Sequence, residues 1–398
     1  MKKTSFLIVF FYISNFIHAQ ERPITVAVPF LLVAADARAA GMADNGVSSS
    51  PDAFSQQWNP SKYAFATDQQ GFSVSYTPYL TDLVNDISLA QLTYFNKYSE
   101  KSAFAASFRY FGLGDIDLRQ DFDSPVQTVS PNEFAFDLSY SLKLSEKFSM
   151  AVGGRFINSN LKVATDNNDA SSSSSFAVDV AGFYQSEEIA YSDFNGRWRG
   201  GFNFQNMGQK MSYDNDDINA NFLPANMRLG GGFDFILDEY NTIGVNLEFS
   251  KLMVPTPQVS YNSSAGSYQG SDMNGDGIID ETDSDIAQNE YKSIGWFEGM
   301  FQSFTDAPDG FSEELKEVTY SIGSEYIYQD SFSFRAGYFH ESPDKGAREF
   351  FSLGAGFKYS SVKVDVSYLF SASKVQNPLE KTLRFSLSFN FGEKYENY

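Results

Sequence analysis

Leu383-Arg384-Phe385-Ser386-Leu387-Ser388-Phe389-Asn390-Phe391 decides the fold. Leu and Phe alternate with Arg, Ser and Asn. That is the period-two pattern of a strand with one apolar and one wet face. The pattern recurs. Phe134, Phe136, Leu138, Tyr140 and Leu142 oppose Asp137, Ser139 and Ser141. Val362, Val364, Val366, Tyr368 and Phe370 oppose Lys363, Asp365 and Ser367, and Ile243, Val245, Leu247 and Phe249 oppose Gly244, Asn246 and Glu248. Alternating segments fall at 70–77, 87–96, 101–111, 133–143, 147–157, 175–185, 199–207, 226–237, 241–251, 317–328, 331–340, 349–359, 361–371 and 381–391. Most have the length a tilted strand needs to cross hydrocarbon.

The connections alternate as well. Those near Lys97, Ser145, Glu239, Gln329 and Ser360 are a few residues long. Those after the third, fifth, seventh and ninth segments are long, the largest running over 252–316. Only Ser186 to Trp198 breaks the rule among the short ones. Short turns on one side and long loops on the other describe an outer-membrane barrel. A soluble β-sandwich would show the same alternation in any one strand. Its repetition along 398 residues without a second core pattern favours the barrel. The reading is all-β: a 14-stranded antiparallel transmembrane β-barrel with an N-terminal plug segment.

Lys2 and Lys3, an apolar run from Phe6 to Phe16 and small Ala19 read as a secretory signal over 1–19, cut ahead of Gln20. The run is too short to span a bilayer. Residues 20–68 do not alternate and carry Pro29, Gly41, Gly46, Pro51 and Pro60; they form the expected plug. The barrel is expected over 69–391 and a short tail over 392–398. An even strand count then leaves both mature termini in the periplasm. Removing Lys2 and Lys3 takes the formal charge from −21 to −23 (−21 − 2), so nucleic acid is not an expected partner. Cys is absent, which excludes disulfides and thiolate metal sites. Aromatic residues make up 17% of the chain and would supply interfacial girdles against outer-membrane lipid.

The stretch Pro29–Ala66 reads PFLLVAADARAAGMADNGVSSSPDAFSQQWNPSKYAFA. With Ala27-Val28 before it, it resembles the N-terminal region of the PorV family, also called LptO, of the Bacteroidota type IX secretion system. The resemblance rests on Ala27 to Leu31, Asp36-Ala37-Arg38, Gly41-Met42, Gly46-Val47, Pro51-Asp52-Ala53 and Trp58-Asn59-Pro60. Ala43 and Ser61 depart from the family by small-for-small changes. The sister family PorQ fits less well. The resemblance implies a FadL-type barrel whose plug motif is Trp58, Asn59 and Pro60. It further implies a non-enzymatic carrier. Such a carrier takes the C-terminal signal domain of cargo leaving a SprA/Sov-type translocon and delivers it to an attachment complex of PorU, PorQ and PorZ type. The alternative within the fold is a FadL-like channel for hydrophobic small molecules, with a greasy pocket under the outer loops. Action on lipopolysaccharide, which the name LptO suggests, lacks a catalytic set.

Two loop features stand apart. Asp272, Asn274, Asp276, Ile278, Asp280 and Asp283 hold positions 1, 3, 5, 7, 9 and 12 of a calcium loop, with Gly277 at position 6 and Ile278 contributing its carbonyl. Asp283 replaces the usual bidentate Glu and reaches less far. The expectation is a structural Ca2+ in the longest loop; the alternative is an acidic, Gly-rich turn without metal. Ser293 to Thr305 places Ile294, Phe297, Met300, Phe301 and Phe304 on one helix face, with Trp296 beside it. That helix would bind a partner, rest in the leaflet or pack on the barrel lip. His340 has only Glu341 and Ser342 beside it, no constellation for catalysis.

Overall fold

The computed structural model of the chain describes residues 24–80, 84, 86–119, 126–161, 172–213, 220–262, 266–373 and 379–395. The signal expected over 1–19 lies outside them. The barrel strands are β1 Asp68–Pro78, β2 Ile87–Lys97, β3 Ser102–Leu113, β4 Asn132–Ser145, β5 Phe148–Asn160, β6 Ser173–Gln185 and β7 Asn195–Gly208. They continue as β8 Asn226–Ile236, β9 Asn241–Leu252, β10 Thr319–Tyr328, β11 Phe332–His340, β12 Glu349–Tyr359, β13 Val362–Ser371 and β14 Leu383–Lys394. The sheet has 15 members; setting aside Ile189–Ala190, a two-residue piece paired only with the start of β7, leaves 14. Each strand pairs antiparallel with its sequence neighbours, and β14 pairs back onto β1 from Asp68↔Lys394 to Tyr76↔Phe385. The sheet is therefore closed, and its edges are satisfied, which is the condition for crossing hydrocarbon with strands.

The faces follow the alternation. Phe136, Leu138, Val364, Leu383 and Phe385 are exposed on the outer wall, while Asp137, Ser139, Asp365, Arg384 and Ser386 are buried inside. An Arg at position 384 on the lipid face would cost about 2–4 kcal/mol near the bilayer midplane. Register is thus set strand by strand. Most strands differ from the expected spans by one to four residues at an end, and two of these differences have a visible cause. β7 begins at Asn195, because the hairpin with Ile189–Ala190 extends it below Gly196 and Arg197. β14 runs through Lys394, because its end pairs with Asp68 across the seam, so the tail expected from 392 is partly strand. The tight turns use left-handed residues, such as Gln329 (φ 53°) and Asp330 (φ 52°) between β10 and β11.

Residues 24–66 run through the lumen. A 3-10 turn Pro29–Leu32, helix α1 Ala37–Ala40, helix α2 Ser55–Trp58 and a 3-10 turn Pro60–Phe65 are nearly all buried. Their direction corrects an expectation. Ala27, Val28, Phe30 and Leu31 cluster with Leu89, Phe111, Ile157 and Leu223. Ala27 donates its N–H to Phe222 in the connection 209–225. Ile24 therefore lies at the long-connection end, whereas Tyr395 bonds Thr67 at the short-turn end. The described chain enters and leaves at opposite ends, not at one. An irregular segment carries no direction in its pattern; the apolar side chains clustered under the long loops supply it.

Candidate functional site

The short motifs of the N-terminal segment meet one another in the lumen. Asp36 caps α1 by accepting from Ala39 N–H at 2.8 Å and accepts the Trp58 indole N–H at 2.6 Å. Arg38 joins Asp52 at 2.8 Å and Glu325 of β10 at 2.7 Å. Asn59 donates its amide to the Val47 carbonyl at 2.9 Å and to the Gly182 carbonyl of β6 at 3.0 Å. Pro60 opens the following 3-10 turn, where its missing N–H costs nothing. Trp58, Asn59 and Pro60 are fully buried.

The barrel wall answers this segment around its circumference. Asn203 and Gln205 of β7 donate to the carbonyls of Trp58 and Gln57. Glu248 of β9 accepts from Gly46 N–H at 2.8 Å and Val47 N–H at 2.9 Å, and pairs with Arg228 of β8 at 2.6 Å. The Arg228 guanidinium lies 4.9 Å from the Trp58 ring. Arg384 of β14 pairs with Asp44, and Arg335 of β11 bridges Glu325 and Asp365. Breaking one buried pair of this kind costs about 3–5 kcal/mol. Gly201 and Gly230, register partners on β7 and β8, let Val47 reach the wall; a Cβ on either would run into it. The wall partners Arg228, Glu248, Glu325 and Arg335 were not identifiable from sequence. Each reads there as one more polar residue on an alternating strand.

At the long-connection end, residues 253–318 carry helices α3 Glu281–Ser293, α4 Trp296–Gln302 and α5 Phe311–Lys316. The connection is tied down by buried charges. Lys251 pairs with Glu314 at 3.0 Å and Glu317 at 2.5 Å; Lys345, from the β11–β12 connection, pairs with Glu313 at 2.6 Å and Glu317 at 3.0 Å. Beneath it lies a cavity of about 110 Å3 bordered by Asp44, Arg228, Glu317, Glu341, Lys345 and Arg348.

The acidic loop before α3 folds on its own amides. Asp272 accepts from Gly275 and Gly277, the latter at φ 86°. Asp283 accepts from Met273, Asn274 and Asp280, which holds its carboxyl below the usual range. Asn274 and Asp276 accept from the N–H groups two residues on, Asp280 caps α3, and Ile278 is exposed. Among the described residues no three acidic or His side chains converge on one point.

The helix expected over Ser293 to Thr305 is shorter and turned differently. Ile294 and Gly295 are extended (ψ 126° and 145°), so α4 starts at Trp296 and ends at Gln302. Met300 is buried, whereas Phe297, Phe301 and Phe304 are exposed. The expected stripe is therefore split between two surroundings. The His340 ring lies tilted 4.8 Å from that of Tyr320, with Tyr338 and Glu349 beside it.

A closed antiparallel barrel with aromatic and aliphatic side chains on its outside and a chain segment bonded into its lumen is an outer-membrane barrel. The family described as Type IX secretion system protein PorV matches residues 16–259, more than half of the chain, and the chain belongs to that family. No curated protein matches it. Similar solved structures include the Ralstonia pickettii toluene transporter TbuX (10% identity, 91% of this chain and 100% of that one, TM-score 0.47). Others are the Pseudomonas putida toluene transporter TodX (10%, 88% and 95%, 0.47) and a Pseudomonas aeruginosa FadL homologue (11%, 90% and 98%, 0.43).

Proposed function

We propose that this chain is a non-enzymatic carrier of the type IX secretion system. Its long connection binds the C-terminal signal domain of cargo emerging from a SprA/Sov-type translocon. The cargo then passes to an attachment complex of PorU, PorQ and PorZ type. The short turns face the periplasm and the long connections the cell exterior, which puts Ile24 near the outer side. The supporting observation is the division of the molecule. The lumen is occupied by a segment bonded to the wall from β1 to β14 (Thr77 to Ser386), while 253–318 stands outside, held by Lys251 and Lys345. Binding surface is thus offered at the mouth rather than through the pore. A segment held by several buried charge pairs keeps the barrel closed.

Calcium belongs to the same reading. Asp272, Asn274, Asp276, Asp280 and Asp283 with the Ile278 carbonyl supply the donor chemistry at the right spacing. In the structure the Asp272 and Asp283 carboxylates accept backbone amides of the same loop, and each keeps lone pairs that a cation could use.

A channel for hydrophobic small molecules predicts a greasy pocket under the loops. The cavity there mixes three carboxylates and three cations with Ile24, Leu32, Leu252 and Phe339, so it is not the purely greasy pocket that a channel predicts. To test it, 256–312 is replaced by a Gly-Ser linker and binding of an isolated cargo C-terminal domain is measured in detergent. The carrier reading expects binding by the native chain and loss in the variant, with heat-shifted gel mobility retained in both. Equal binding by both chains, or none by the native chain, contradicts it.

A further inference from the structure

Helix α4 lies on the outside of the barrel. Its Met300 is buried with Ala225 and Met253, and Trp296, Phe204, Met207 and Met227 pack around that cluster. Phe204 and Met227 are register partners on β7 and β8. Asn203 and Gln205, on either side of Phe204, reach the lumenal segment, and Arg228, next to Met227, reaches Glu248. Alternation therefore puts Phe204 and Met227 on the lipid side of the wall. Gly299 allows the close seating: a Cβ there would meet Phe222 and Pro255 at 2.9 Å.

The rest of the helix's apolar surface is left uncovered. Phe297 and Phe301 are 59% and 65% exposed and meet edge to face at 5.2 Å. The apolar outer wall continues from Phe204, under the helix, to Phe202 at 5.8 Å and on through Leu229, Leu247 and Phe249 on β8 and β9. That wall is the surface the bilayer covers, so the aromatic pair continues an interface already defined by the fold.

We infer that α4 is an interfacial strap, with Phe297 and Phe301 seated among lipid acyl chains of the leaflet at the long-connection end. A short helix with aromatic residues on one face and Glu298 and Gln302 on another suits that boundary. The acyl chain is the occupant, not an anionic headgroup, because Glu290 and Glu298 are acidic and exposed. Anchored there, α4 fixes how the acidic segment 272–293 is presented above the membrane. The inference rests on the membrane placement of the barrel.

The chain has no Cys, so single Cys residues can be labelled cleanly. Phe297→Cys, Phe301→Cys, Leu247→Cys and Asn289→Cys are labelled with bimane and placed in phosphatidylcholine vesicles with or without brominated acyl chains. Leu247 lies on the outer wall and Asn289 on exposed α3. The expected result is several-fold stronger bromolipid quenching at 297 and 301 than at 289, matching 247, with the reverse order for aqueous iodide. Iodide quenching at 297 and 301 as strong as at 289, with 247 still lipid-quenched, overturns the strap alone. Protection of 297 and 301 from both quenchers means that protein covers them and also overturns it. Failure of bromolipid to quench 247 overturns the membrane placement as well. Independently of labelling, Trp296→Phe should lower the bromolipid-quenchable tryptophan emission of the native chain; an unchanged signal counts against the strap.

Discussion

Asn59 shows how one side chain ties a loop to a wall. Its amide donates to a carbonyl of its own segment and to one of β6, and its oxygen accepts from Ser61 N–H. Asn59→Ala leaves buried carbonyls short of a partner and should cost about 1–3 kcal/mol. The measurement is the urea midpoint followed by heat-shifted gel mobility; an unchanged midpoint would mean the amide is replaceable by water. The glycines give a sharper contrast. Gly201→Ala pushes against the Val47 carbonyl and should lower that midpoint. Gly231→Ala faces outward, with no atom nearer than the Arg199 carbonyl at 4.0 Å, and should leave it within error. Equal effects would argue against the seating of Val47 in the wall.

At the scale of elements, the long connection carries two predictions. Burial raises the carboxyl of Asp306 to about 6, with Glu314 and Glu317 adding to the rise and the Thr256 N–H opposing it. Its ionised form is therefore disfavoured in the folded loop. Stability should increase as pH falls from 7 through 6 toward the ordinary value of 3.8, and level off below that. Hydrogen exchange of the Val254, Thr256 and Gln258 amides, corrected for intrinsic rate, should slow over that range, and Asp306→Asn should abolish the dependence. A dependence that survives the substitution belongs to another group. Calcium binding by 272–283 predicts slower exchange in that loop with millimolar CaCl2 than with chelator, lost in Asp272→Asn. No difference in the native chain removes the metal from the account. The strands were legible because each places its apolar and polar residues by local geometry, from Phe136/Asp137 to Phe385/Arg384. Helix α4 was only half legible. Its composition gave an amphipathic face, but Met300 turns toward β7 and β8 while Phe297 does not, and that division depends on the wall beneath it.

For the whole molecule, strand count and closure follow from repetition, which a sequence displays openly. What fills the lumen follows from pairings such as Ala37–Ser386 and Arg38–Glu325, separated by 349 and 287 residues. No local pattern announces these, and the direction of 24–35 was misjudged for the same reason. The N-terminal motifs were recognisable by their resemblance to a known family, and in the structure they bind one another: Asp36 with Trp58, Arg38 with Asp52, Val47 with Asn59. The central claim is that this closed barrel works by what its outer end binds. Its most direct test is capture of the tagged chain from its own outer membrane in mild detergent, with and without calcium, followed by mass spectrometry. The account predicts recovery of a large translocon barrel, a transpeptidase or proteins sharing one C-terminal domain, weakened by chelation. Recovery of only lipid or a small hydrophobic ligand would contradict it.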